Sequence, residues 1–338
     1  MSLKESSQYY HAVLSSIVPK PLPPFQDEDE QLRVWGGRWG AVNDVGRIRV
    51  ILMHRPGDEL KVITQDCYDP SIEAMIDRRA QWYFRSDVVP DLAKMQEEHD
   101  NLARVLTENG IRVVYMDCSP KDPDALNVRD NGIVINGGLI VARMAIAGVE
   151  HGTGRRGEEA YITRTAAALG MPILHTIQGD GIFEGGSFCL LDAKHAAVGL
   201  SVRGNESAVE QIRSVLKLQG IELLEVPLTG YSSHIDGALV MVDYDKALVN
   251  IERLPYGFLK KLEDLGIEKI SIDYRDPSTA LNCLTIRPGV VVVNGKDSVW
   301  TAERLASRGI QVISVPYGEC RKKGGGIHCG TLPLVRDP

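Results

Sequence analysis

LARVLTENGIRVVYM, residues 102–116, reads as a helix that stops at Gly110 and gives way to a strand. The glycine suits the left-handed position at which helices end. The Ile/Val run after it suits a buried strand. The phrase returns as TAAALGMPILHTI (165–177), VLKLQGIELLEVPL (215–228), LEDLGIEKISIDY (262–274) and LASRGIQVISVPY (305–317). Its glycines, Gly110, Gly170, Gly220, Gly266 and Gly309, lie 60, 50, 46 and 43 residues apart. Self-similarity at such a period marks a repeat architecture.

Between the phrases lie paired strand-like runs: GIVING-GLIVARM from 132, EGGSFCLLD-AKHAAVGL from 184, HIDGALVMVD-YDKALVNI from 234 and NCLTIRPGVVVVNG from 282. The unit is therefore strand, strand, helix, strand. After the fifth phrase only HCGTLPLVR (328–336) remains, and RIRVILMHRPG (47–57) is left over at the other end. Pairing the 47–56 strand with the 329–336 strand completes the missing module and closes a ring. The expected fold is α/β: a five-bladed, pseudo-fivefold α/β propeller. Closure removes the exposed sheet edges that invite aggregation. The competing architecture is a doubly wound sheet, which a GxGxxG turn opening a helix would favour. Neither Gly324-Gly325-Gly326 nor Gly152-Thr153-Gly154 opens one.

The chain has 338 residues, enough for two domains or one repeat-built domain. With 43% hydrophobic and 25% charged residues it has a globular composition. Residues 1–30 read as an N-terminal arm, extended through Pro19, Pro21, Pro23 and Pro24 and acidic from Asp27 to Glu30. Residues 31–338 read as one domain, with order beginning near Trp35. A net charge of -7 argues against a nucleic-acid partner and favours a neutral or cationic small ligand. No apolar run reaches the length of a membrane span, and the first residues carry no secretion signal. Six scattered cysteines form no disulfide framework, so the expected location is a reducing cytoplasm. Association into a homo-oligomer stays open.

The reactive side chains fall in phase with the repeat. Asp130 follows Gly110 by 20 residues, Glu184 follows Gly170 by 14, and His234 follows Gly220 by 14. Asn282 follows Gly266 by 16, and Cys329 follows Gly309 by 20. Each is placed at the start of its module's next strand, and in a radial fold such strand ends meet at the axis. His234 and Asp236, at i and i+2, would share one face of a strand. Singly, each has a plainer reading: a turn residue for Asp130, a loop acid for Glu184, a buried small hydrophobe for Cys329. Three glycines before Cys329 let backbone approach a ligand closely. A zinc site from Cys320, His328 and Cys329 lacks paired Cys-x2-Cys spacing, so no metal and no cofactor is expected.

Carboxylates bind a guanidinium through paired, charge-assisted hydrogen bonds. That arrangement leaves the central carbon open to a thiolate. A histidine then protonates the departing amine, and an amidino-thioether remains for water or an amine to attack. Arg143, Arg155 and Arg156 offer guanidinium groups for a substrate carboxylate, or simply a solvated loop.

Four motifs in order, RDN (129–131), EGG (184–186), HID (234–236) and GGGIHCGT (324–331), make the chain similar to the guanidino-modifying enzyme superfamily. Its members include arginine deiminases, dimethylarginine dimethylaminohydrolases, agmatine deiminases and amidinotransferases. The resemblance spans residues 33–337. It implies the five-bladed propeller, a central channel and a covalent cysteine intermediate. It further implies Cys329 as nucleophile and His234 as general acid and base. Asp130 and Asp236 become guanidinium ligands, and Glu184 orients the substrate or the histidine. Arg143 and Arg156 become the substrate-carboxylate site. Ser187, where many deiminases carry Asp, and GGGIHC look more like agmatine deiminases. WGGRWGAVNDVGRIRVILMHRPG (35–57) looks more like the amidinotransferase and dimethylaminohydrolase branch. The expectation is a hydrolase giving a ureido product from arginine or an N-substituted arginine. An amidinotransferase and a catalytically inactive binding propeller are the alternatives.

Overall fold

The computed structural model describes residues 2–145 and 155–338; the Gly152-Thr153-Gly154 triplet lies outside them. Five three-stranded sheets of the same construction form the blades of the ring. In each, an antiparallel pair is followed by a helix and a third strand parallel to the second. Blade II consists of strands Gly132–Ile135, Gly138–Val141 and Ile173–Thr176 with helix Glu158–Leu169. Blade III has Phe188–Leu190, His195–Leu200 and Glu222–Pro227 with helix Glu206–Lys217. Blade IV has Leu239–Asp243, Lys246–Val249 and Glu268–Ser271 with helix Tyr256–Asp264. Blade V has Leu284–Arg287, Val290–Asn294 and Gln311–Val315 with helix Val299–Ala306.

Blade I is made from both ends of the chain. Ile48–Met53 pairs antiparallel with Leu332–Arg336, Leu52 opposite Leu332, and parallel with Arg112–Tyr115 behind helix Leu92–Glu108. The ring is closed as the leftover terminal segments required.

The local causes are those read from the repeat. Gly110, Gly170, Gly220, Gly266 and Gly309 all hold positive φ, between 70° and 80°, where a Cβ would clash with its own backbone. Each helix lays one apolar stripe on its sheet; in blade I it is Met95, Leu102 and Leu106, all fully buried. Middle strands such as Gly138–Val141 and Val290–Asn294 are buried on both faces, hence their continuous apolar text.

Two expectations change, and one element was unforeseen. The arm is not extended throughout: Tyr9–Ser15 is helical, while the stretch from Pro19 to Pro24 carries no regular element. A helix, Glu28–Trp35, precedes the expected start of order; Asp27 caps it by accepting from the Glu30 N–H. A small meander, Tyr68–Asp69, Ala74–Asp77 and Trp82–Phe84, lies between the first strand and the helix of blade I. Its short, irregular strands carry no period-two signal, so the repeat analysis passed over it.

Candidate active site

The reactive residues stand one step before their predicted strands, in or beside the short turns that enter each blade. Asp130 lies in the turn Val128–Asn131, and Glu184 immediately precedes Gly185–Ser187. His234 precedes Ile235–Gly237, and Asp236 lies within it. Asn282 closes Ser278–Leu281, and Cys329 sits in the last turn before Leu332–Arg336. His234 and Asp236 therefore do not share a strand face. Extended backbone at His234 followed by a tight turn at Asp236 aims both side chains into the same cleft. The turns pack on one another closely. A Cβ on Gly186 would lie 2.7 Å from Asp130 Oδ1 and 2.9 Å from His234 Nδ1.

All five predicted centres, Asp130, Glu184, His234, Asp236 and Cys329, line one cleft. The Cys329 thiol approaches Asp236 Oδ2 at 3.4 Å and receives the Asn282 Nδ2–H at 3.0 Å; the Cys329 N–H donates to Asn282 Oδ1 at 3.1 Å. Burial pushes this thiol well above its ordinary value, and Asp236 and Asp130 push it further. His234 keeps 12% of its side chain open to the cleft. Its Nε2 is 2.8 Å from Glu184 Oε2, and its Nδ1 is 3.5 Å from Asp130 Oδ1. Burial alone would lower the imidazolium, but Asp130 and Glu184 outweigh it and raise the group to about 9. Burial likewise opposes Glu184 ionisation. Its hydrogen bond to His234, with Arg155 and Arg203 nearby, holds it well below the usual carboxylate range.

Asp130, Glu184 and His234 bring ligand atoms within 4.8 Å of one another, as a metal centre would. Resident cations already occupy these carboxylates. Arg155 donates to Asp130 Oδ2 at 2.6 Å, and Arg203 donates to Glu184 Oε1 at 3.1 Å. A second such group, His54, Glu59 and Cys118, lies in blade I away from the cleft. Cys320 bonds the Met95 carbonyl instead of joining His328 and Cys329.

Arg143 and Arg156 do not line the cleft, contrary to expectation. Their guanidiniums are spent on the carbonyls of Gly181 and Met144, at 2.7 Å each. The cleft cations are Arg85, Arg155, Arg203, Arg253 and Lys323. Arg155 is buried between Asp130 and a bidentate Glu158. Lys323 pairs with Asp124 at 2.5 Å. Arg85 and Arg253 have no carboxylate partner among the described residues. Arg253 reaches only Gly237 O and Ser278 Oγ, at 3.5 and 3.4 Å, and Arg85 lies over the Tyr83 ring. A signal for part of this set exists. Each middle strand is followed two to four residues on by a basic residue: Arg55, Arg143, Arg203, Arg253 and Lys296. Arg85 and Tyr83 arrive on the unforeseen meander and had none.

A family model described as N,N dimethylarginine dimethylhydrolase, eukaryotic, matches residues 80–336. The arginine deiminase of Latilactobacillus sakei subsp. sakei (strain 23K) is 22% identical over 87% of this chain and 97% of its own length. Among solved structures, DDAH from Pseudomonas aeruginosa, a cysteine-to-serine variant with citrulline, superposes with a TM-score of 0.67. It is 22% identical, over 86% of this chain and 100% of that one. An amidinotransferase of Microseira wollei from the saxitoxin pathway gives 0.65 at 16% identity, covering 89% and 98%. The family match, on a closed five-bladed ring with this central cleft, places the chain in the guanidino-group-modifying enzyme superfamily. Within that superfamily, the chain belongs to the dimethylarginine dimethylhydrolase family. The chemistry of the superfamily is hydrolysis or transfer at a guanidino group.

Proposed function

We propose that the protein hydrolyses the guanidino group of arginine or an N-substituted arginine through a covalent amidino intermediate on Cys329, giving a ureido product and ammonia or an alkylamine. The observation that carries this reading is the meeting of a thiol, two further carboxylates and a carboxylate-held histidine in one cleft. Asp236 Oδ1 and the Oδ1 side of Asp130 face the bound cation, whose positive charge offsets the two carboxylates that hold the free thiol protonated. With the substrate cation in place the thiol releases its proton to the solvent of the open cleft, and the thiolate adds to the guanidinium carbon. His234, an imidazolium at neutral pH, gives its proton to the leaving nitrogen and becomes the base for water. Attack by that water and loss of the thiolate release the ureido product. The unpaired Arg85 and Arg253 supply charge for the substrate's carboxylate, the role first assigned to Arg143 and Arg156.

The test incubates enzyme with arginine, N-methylarginines and agmatine, each with and without glycine, ornithine or lysine. Ureido product in water alone is expected, with agmatine the poorest because it lacks the carboxylate. Product formed only with an amine, bearing the amidino group, would make the protein a transferase. Cys329→Ser is expected to cost several orders of magnitude in turnover with the fold retained, because a hydroxyl beside carboxylates is a far poorer nucleophile. Near-normal turnover in that variant would end the covalent scheme.

A further inference from the structure

His328, next to the nucleophile, takes no part in the scheme above, yet it is only 8% exposed and is held through one ring nitrogen. Its Nδ1 lies 2.9 Å from Asp236 Oδ2, the same oxygen that the Cys329 sulfur approaches at 3.4 Å. The other side of the ring borders a small internal cavity with Asp44, Thr285 and Arg336. The backbone here is pinned from below: the Arg129 N–H donates to Cys329 O at 3.0 Å and its Nε–H to His328 O at 3.4 Å. The ring therefore has little freedom to turn away from Asp236.

We propose that His328 is a positioning residue for the thiol: its Nδ1–H holds Asp236 in one rotamer and draws charge from the oxygen nearest the sulfur, leaving Oδ1 for the substrate. The inference rests on the proposed role of Cys329 and adds a second histidine, acting through a carboxylate, to the site. A bare carboxylate 3.4 Å from sulfur opposes thiolate formation. A donated N–H on that oxygen weakens the opposition. The groups facing the thiol are Asp236, Asp130, Tyr317 and the buried guanidinium of Arg129, with His234 across the cleft. Those facing His328 are Asp236, Asp44 and Arg129, with Arg336 on the shared cavity. Burial and Arg129 keep the His328 imidazole neutral, so its single N–H must sit on Nδ1 to serve Asp236.

The readout is the pH profile of iodoacetamide alkylation at Cys329, followed by mass spectrometry of its peptide, which needs no turnover. An asparagine amide reproduces the Nδ1–H donor, a glutamine amide sits nearer Nε2, and leucine supplies neither. His328→Leu and His328→Gln are expected to shift the profile upward by about one pH unit, alkylating about tenfold slower at neutral pH. His328→Asn is expected to stay near the wild type. If His328→Leu does not fold, the Asn–Gln contrast carries the same test. Profiles that coincide in all folded variants, or Asn and Gln displaced equally, overturn the proposal. A His328-dependent thiol in a protein that converts no guanidino compound would instead sink the hydrolase reading and leave this one standing.

Discussion

His234 is the residue whose protonation ties chemistry to stability. Its folded value, about 9, lies above the ordinary 6.5. A group raised on folding stabilises the native state fully below its unfolded value and loses that contribution as pH rises through the folded one. Stability measured by urea unfolding is therefore expected to decline from about pH 6.5 to beyond pH 9, and His234→Asn to flatten that decline. With substrate saturating, so that its cation already offsets the carboxylates around the thiol, kcat should fall as pH rises through about 9, where the acid that protonates the leaving nitrogen is lost; a kcat unchanged through that range would exclude His234 as that acid. Arg155 is a different case. It is buried, bidentate on Glu158 and 2.6 Å from Asp130, with Glu184 at 3.9 Å. Removing one partner of a buried ion network leaves uncompensated charge, a cost of roughly 3–5 kcal/mol. Arg155→Met is expected to lose about that much in denaturant unfolding. A change below about 1 kcal/mol would mean the carboxylates find other partners.

At the scale of elements, the repeat was legible and the site only partly so. Helix ends and middle strands follow from local physics: a left-handed glycine and a doubly buried apolar run need no knowledge of the rest of the chain. The phase of Asp130, Glu184, His234, Asn282 and Cys329 against those glycines was therefore enough to gather them in one place. Their exact support was not legible, because 3-10 turns of three or four residues leave no periodicity. Nor was the direction of Arg143 and Arg203, which follow equivalent strands yet turn to a carbonyl in one case and to Glu184 in the other. That choice depends on neighbours from other blades. The EGG turn shows what such packing demands. Gly186 donates its N–H to Asp130 Oδ1 at 3.2 Å, and a methyl there would press on both Asp130 and His234. Gly186→Ala is expected to reduce kcat/KM by about 10²-fold, as small misplacements at a reacting centre do, with the melting temperature nearly kept. Wild-type kinetics in the variant would mean that the turns yield more easily than this geometry implies.

The whole molecule is a ring closed by its last strand, and closure changes how stability is shared. In an open array each repeat contacts only its neighbours, so terminal units fray and damage stays local. Here Leu332–Arg336 is itself a strand of blade I and follows directly on the turn that carries Cys329. Arg336 crosses to the Thr285 carbonyl of blade V at 2.9 Å and to Gly46 O at 2.7 Å. Arg49 and Asp337 pair on the outer side of the same seam. Opening the seam exposes the sheet edge of blade I and releases the nucleophile at once. Leu334, 1% exposed in the core beneath this strand, is the residue to weaken. Leu334→Ala is expected to cost about 2–5 kcal/mol, the range for a buried leucine truncated to alanine. The distribution of that loss separates ring from array. In a cooperative ring, hydrogen exchange in the middle strands of blades III and IV, far from the seam in sequence, should accelerate as much as exchange in blade I. If only residues 48–53 and 332–336 lose protection while blades III and IV keep theirs, the closing strand is a latch on an independently stable array. The site would then form and dissolve at Cys329 without unfolding the rest.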